Sequence, residues 1–439
     1  MIRNAPIGGP ASHIRPQIQD LVTDNIAELA KRARTLGDVA PLWFGEGDLV
    51  TPAFIRDAAK RALDDGRTFY VPTMNGIPAL ASALSDYQTR LHGRPIGTDR
   101  TTVTPGGMQA VLLALELVVD VGTNVVYVEP QWPNIHHAIH LVGGEPRPCP
   151  LALEGGAWRL DIDRLAALCD ARTRAIILST PANPTGWTAT HDDLAALLAL
   201  GRERGIWIIC DEVYGRLYVP AEIAPSMLQI AEPDDLVMGI NSFSKAWAMT
   251  GFRLGWLNHP AQLADRVGAM TQYMNSGTAD FVQAAGEAAI TQGEAFVQQM
   301  RARCRAGIAL AQERLARMPG VRLLAPPVGG MYVFFALDRW ASGREACLFL
   351  LEKARVGLAP GELFGASGGR VPAHVRLSRP GAVERGAGPD GAGAAPGVNE
   401  GRLLRPEWSL IASIRVTVLT QRGHRLPSTC RCSRFAGMQ

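Results

Sequence analysis

The run NSFSKAWAMTGFRLGW, residues 241–256, sets one lysine among small, hydroxylic and apolar residues, with Arg253 eight positions further on. Lys245 follows DLVMGI, a stretch with the composition of a buried strand. Burial disfavours an ammonium and lowers its pKa. A partly neutral amine is a nucleophile, and its characteristic chemistry is attack on a carbonyl to form a Schiff base. A lysine with its stem on apolar surface and its head in water has the same local sequence, so the neighbouring groups must decide.

Several other segments carry chemistry just past apolar runs. In TVTPGGMQAVLLALELV, a Gly-Gly turn enters a helix, and the backbone N–H groups of Gly106, Gly107 and Met108 would suit a phosphate. CDEVYGRLY places Asp211 at the end of WIIC, with Tyr214 three residues later. An acid there caps a helix, pairs with an arginine, or faces a protonated ring nitrogen. STPANPTG sets the amide of Asn183 in a proline-rich loop, and VEPQWPNIHH puts the flat face of Trp132 after another strand. Each has a plain structural explanation alone. Together they form a phosphate cradle, a stacking ring, an amide, a phenol, an acid and a lysine. A phosphorylated aromatic aldehyde with a pyridine ring and a phenolic oxygen needs that set, and pyridoxal 5'-phosphate is such a molecule.

SFSKAWAMTGFRLG is similar, position by position, to the lysine-attachment pattern of the class I/II aminotransferases, which are fold-type I pyridoxal-phosphate enzymes. The resemblance runs from LWFGEGDLVTP through HVRLS, residues 42–378. It implies that Lys245 carries the cofactor as an aldimine, that Ser242, Arg253 and the Gly106–Met108 turn hold the phosphate, and that Tyr70 reaches a phosphate across a homodimer interface. It further implies that Asp211 keeps the pyridine nitrogen protonated, Tyr214 and Asn183 bind the ring oxygen, and Trp132 stacks. Gly45 and Asn183 would lie at the substrate carboxylate, with Arg376 clamping it bidentately. The implied activity is transfer of an amino group between an L-amino acid and a 2-oxo acid, with Lys245 as the base. Related proteins run other α-carbon chemistry on the same apparatus, so a carbon–sulfur β-lyase is the alternative, followed by an inactive or regulatory relative.

The elements that must position these groups follow from the pattern. TTVT, NVVYVEP, RAIILST, GIWIICDE, DLVMGI and FRLGWL are short apolar runs alternating with helical segments such as DIDRLAALCD and HDDLAALLALGRERG. This predicts an α/β fold with a mainly parallel central sheet flanked by helices, in which ligands sit beyond the carboxyl ends of strands. AFVQQMRARCRAGIALAQERLAR reads as a long amphipathic helix, and VRLLAPPVGGMYVFFAL as strand, turn and strand. The expected division is a large domain over 46–290 and a smaller α+β domain from 1–45 with 291–378.

Composition is that of a soluble globular chain, at 47% hydrophobic and 19% charged over 439 residues. The first twenty residues lack the apolar core of a secretory signal, and no eighteen apolar residues run together, so a cytoplasmic protein without a membrane span is expected. The seven cysteines are scattered, with metal-like spacing only in CRC near the end, and no metal site is expected. Nine arginines and four acids fall after residue 378. The body is therefore near neutral, without the basic stripe that nucleic acid would require. After Ser378, where the family continues into an amphipathic helix, six glycines fall in residues 385–402 and cannot sustain one. Residues 379–439 read as a reading-frame slip in a G+C-rich gene, or else as a basic disordered tail.

Overall fold

The computed structural model describes residues 13–19, 21, 25–365 and 373–376, the last four as backbone. The Gly/Arg-rich tail and its proposed frame slip lie outside the described residues. The strands are β1 (Ala40–Pro41), β2 (Thr101–Thr104), β3 (Asn124–Glu129), β4 (Glu145–Pro150), β5 (Ala152–Glu154), β6 (Ala157–Arg159), β7 (Thr173–Ser179), β8 (Trp207–Asp211), β9 (Val237–Ser242), β10 (Gly255–Asn258), β11 (Val321–Leu323), β12 (Tyr332–Leu337), β13 (Val356–Gly357) and β14 (Ala373–Arg376).

Seven of them form one sheet in the order β2-β10-β9-β8-β7-β3-β4. Neighbours from β9 to β4 run parallel, whereas β10 is antiparallel to both β9 and β2. All six apolar runs expected as strands are present in this sheet. Its β2, β3 and β8 are almost wholly buried, as strands covered by helices on both faces must be. β4 was not expected, because EPRPCP contains three prolines. It forms at the sheet edge, the position where a missing N–H is tolerated.

Local signals set the helix ends. Thr190 accepts from the Asp193 N–H while the Asp193 carboxylate takes the Thr190 N–H, a capping box that starts His191–Arg204. Gly205 ends that helix with φ +65°, a left-handed conformation that glycine adopts without Cβ strain. Asp161 caps Ile162–Leu168 by accepting from the Arg164 N–H. The expected long helix is Glu294–Ala316.

Two apolar clusters pack the sheet between its helices, one including Ile176, Leu197 and Ile208, the other Leu113, Ile177 and Ile240. A separate cluster joins Ile26, Leu29 and Trp43 to Ile308, Val333, Leu350 and Phe364. There β1 pairs parallel with β13, and β12 lies between β11 and β14. Among the described residues no helix is long and apolar enough to cross a membrane.

Candidate active site

A cavity of about 370 Å³ opens at the carboxyl end of the sheet, lined by Gly45, Met108, Trp132, Asn183, Asp211, Tyr214, Ser242, Lys245, Arg253 and Tyr332 among others. The topology explains the convergence. The Gly106–Gly107 turn leaves β2, Trp132 follows β3, Asn183 follows β7, Tyr214 follows β8 and Lys245 follows β9. Because β10 runs against β9, its first residue lies at the same edge, with Gly255 paired to both Ser242 and Thr104. This brings Arg253, two residues earlier, to the Gly106 turn. The strand FRLGWL was expected, but its direction was not.

Lys245 is half-buried and lines the cavity. The expectation of a buried lysine is corrected to one that is half-buried, with its head at the cavity. Its Nζ donates to the Gly45 carbonyl oxygen at 2.5 Å and lies 5.8 Å from the centre of the Tyr214 ring. Asp211 is 4% exposed, and its carboxylate accepts from the Ser179 hydroxyl at 3.1 Å and the Val213 N–H at 3.3 Å. Burial pushes its carboxyl up to about 6, opposed by the Val213 N–H, the Ser179 hydroxyl and the charge of Lys245. Tyr214 is buried, and its hydroxyl shares a 2.6 Å hydrogen bond with that of Tyr332. Burial first, then Tyr332, holds the Tyr214 phenol well above its ordinary range, so it stays protonated.

At the other end of the cavity, the helix Gly107–Val118 begins after Gly106 with no side-chain cap. Its first N–H groups are therefore available to an anion. Gly106 has φ +87° and ψ 165°, a region only glycine occupies readily, and a Cβ there would meet the Arg253 guanidinium. Ser242 accepts from the Ser244 N–H at 3.1 Å, and Arg253 Nη1 donates to the Thr250 carbonyl at 2.8 Å. The Oδ1 of Asn183 is buried without a partner among the described residues.

A model of the family described as aminotransferase class I and II matches residues 41–384. The chain belongs to the class I and II aminotransferases. It is 33% identical over 357 residues to an aspartate aminotransferase of Pyrococcus horikoshii, covering 80% of this chain and 89% of that one. With an aromatic-amino-acid aminotransferase of Thermococcus litoralis it shares 30% identity over 368 residues, 82% of this chain and 92% of the relative. Among solved structures it is similar to a mutant Thermus thermophilus aspartate aminotransferase, with a TM-score of 0.76, 30% identity, and coverage of 83% and 94%. This aminotransferase uses pyridoxal 5'-phosphate, with an amino acid and a 2-oxo acid as substrates.

The residues present fit that cofactor. An uncapped helix start beside Arg253 and Ser242 suits its phosphate. A buried carboxyl held near 6 suits a cationic ring nitrogen, which would stabilise its charged form. The hydroxyl of Tyr214 and the side-chain N–H of Asn183 are donors that suit the ring oxygen, while the unpartnered Asn183 Oδ1 is left to accept from another donor.

Three expected residues stand apart. Gly106 does not line the cavity, and its N–H, expected to face the phosphate, donates to the Thr104 carbonyl at 2.7 Å because the turn closes on β2. Tyr70 is 86% exposed and does not line the cavity of its own chain. The backbone of Arg376 pairs with Tyr332 across β12 and β14, and its side chain lies outside the described residues. The cavity also contains groups that the sequence reading missed: Ser179, which orients Asp211, Glu46, which accepts from the Thr250 hydroxyl, and Tyr332. One available signal was a tyrosine within the apolar run MYVFFAL, because a buried phenol requires a hydrogen-bond partner.

Proposed function

We propose that this aminotransferase moves an amino group from an L-amino acid to a 2-oxo acid with Lys245 as cofactor-bearing residue and proton carrier. The observation that carries the reading is the meeting of Lys245, Asp211, Tyr214 and Asn183 in one cavity, from the ends of three different parallel strands. The cofactor, when bound, supplies an electron sink for negative charge at the substrate α-carbon.

The protein's part is orientation and proton control. The turn of Gly106, Gly107 and Met108, with Ser242 and Arg253, would hold the phosphate, and Trp132 would cover a ring face. Asp211 keeps a proton on the ring nitrogen, with Ser179 and the Val213 N–H fixing its carboxylate. Tyr214 and Asn183 donate toward the ring oxygen. Lys245 Nζ, as a free amine, would take the proton from the substrate α-carbon and hold it for return. The Gly45 carbonyl, already its hydrogen-bond partner, steadies the amine between these transfers. Gly45, Asn183 and Arg376 receive the substrate carboxylate.

The working form is a homodimer in which Tyr70 serves the partner's phosphate. Its support is the exposure of Phe69 and Tyr70, at 84% and 86%, since adjacent exposed aromatics suit an interface. The apolar cluster that joins residues 26–43 to 308–364 supports a small domain from 1–45 and 291–378, with 46–290 as the large one. Scattered cysteines favour the cytoplasm.

The test is the visible spectrum of purified protein with pyridoxal phosphate before and after a panel of amino acids. Conversion of the lysine-bound band to the pyridoxamine form identifies the donor and supports the reading. A band that yields only elimination products overturns it in favour of a lyase.

A further inference from the structure

The Tyr214–Tyr332 hydroxyl pair is not explained by the cofactor contacts assigned above. Tyr332 is fully buried on β12, far in sequence from the strand ends that build the cavity, yet its hydroxyl reaches within 2.6 Å of that of Tyr214. The same hydroxyl fills the space beside Gly45, where an added Cβ would strike it and come 3.4 Å from Lys245 Nζ. Its position is thus fixed from two sides.

Two hydroxyls in one hydrogen bond have two protons, of which one lies in the bond. While Tyr214 keeps its proton in the shared bond, Tyr332 holds that phenol up; when Tyr214 turns the proton to the cofactor ring oxygen, the roles reverse and Tyr332 must donate. Donation into the Tyr214 oxygen strengthens Tyr214 as a donor, because chained hydrogen bonds polarise one another. We propose that Tyr332 is a positioning residue for the known reaction: acting through Tyr214, it aims that proton at the ring oxygen and strengthens its hold on negative charge there. This rests on Tyr214 facing the ring oxygen, as assigned above. The other ionisable groups facing Tyr214 are Asp211, Cys304 and Lys245.

The consequence concerns the resting holoenzyme without substrate. Charge on the ring oxygen that is well held by Tyr214 binds the neighbouring proton of the lysine–cofactor linkage less tightly. Weakening Tyr214 therefore raises the pH at which the linkage loses that proton and its visible band changes. Absorbance titration of holo Tyr332→Phe is expected to show this midpoint raised by about 0.5–1 pH unit. Gly45→Ala, which displaces the Tyr332 hydroxyl without removing it, should move the midpoint in the same direction. Tyr214→Phe should raise it at least as far, and adding Tyr332→Phe to Tyr214→Phe should add nothing. Apoprotein melting, followed alongside, reports any packing loss, which by itself does not move the midpoint. An unmoved midpoint in Tyr332→Phe, or an equal further rise on the Tyr214→Phe background, overturns the inference while leaving the site assignment intact. An unmoved midpoint in Tyr214→Phe overturns both.

Discussion

The Nζ of Lys245 and the carbonyl oxygen of Gly45 are hydrogen-bonded at 2.5 Å across 200 positions of sequence. One partner follows a central strand of the large sheet. The other follows β1, in a different apolar cluster. The active centre therefore joins segments held by different apolar clusters, and its properties should respond to changes in either.

Lys245 is distinct among the four lysines of the chain, since Lys31, Lys60 and Lys353 are exposed on helices. Borohydride added to the holoenzyme should place the pyridoxyl mass on the peptide containing Lys245 and on no other. Lys245→Ala should lower turnover by about 10³-fold or more, the scale of a lost general acid–base, while cofactor still binds through the phosphate end. Peptide mass spectrometry and steady-state rates check both, and label on another lysine would refute the assignment.

The pH dependence of apoprotein stability should carry the mark of Asp211. Its folded carboxyl is pushed from 3.8 to about 6 by burial, so between those values the folded state binds more protons than the unfolded one. Stability must then fall as pH rises from about 4 to about 6. The contribution is at most about 3 kcal/mol, from a shift of roughly two units. Glu212, raised to about 7 by burial, adds a decline of the same sign reaching to higher pH. Urea unfolding of Asp211→Asn should show a flatter profile over pH 4–6. An identical slope would mean that the carboxyl is already ionised in the apoprotein.

Gly106→Ala should act on both fold and cofactor. At φ +87° the new methyl is strained by about 1–3 kcal/mol, and it meets the Arg253 guanidinium. Cofactor affinity is expected to fall by about tenfold or more, as one charge-assisted contact is displaced. Fluorescence titration of the apoprotein measures that loss, and chemical denaturation separates it from the strain.

Subunit mixing tests the role of Tyr70. Tyr70→Ala and Lys245→Ala chains should each be nearly inactive. If a homodimer forms with Tyr70 at the partner's site, hybrids contain one intact site, and an equal mixture should regain about a quarter of wild-type activity. No recovery, with hybrids verified by native mass spectrometry, would place Tyr70 elsewhere.

Much of this site was legible because it is local. Lys245, Asp211, Asn183 and the Gly106 turn all sit within a few residues of an apolar run, and parallel strands bring their carboxyl ends together whatever their order in the sheet. Ser179 and Tyr332 were not legible for the opposite reason. Ser179 matters through its pairing across β7 and β8 with Asp211, and Tyr332 through a contact 118 residues away. Such pairings depend on register and on packing between distant segments, to which local periodicity is blind. The reversal of β10 is similar: GWLN has the same composition whichever way it runs, and only the Gly255 pairings with Ser242 and Thr104 reveal its direction. The prolines of β4 concealed a real strand because they fall at an edge that leaves their missing donors unneeded.

Gly357 lies on β13, paired with Pro41 on β1, and the Trp43 ring occupies the space where its Cβ would stand. The segment leading to Gly45 is thereby seated by an indole pressed against bare backbone. A methyl group at residue 357 would have to move Trp43, and through it the carbonyl that receives the Lys245 amine. A search for rate-altering substitutions confined to the walls of the cavity would pass over Gly357, although it sets the height at which one of those walls stands.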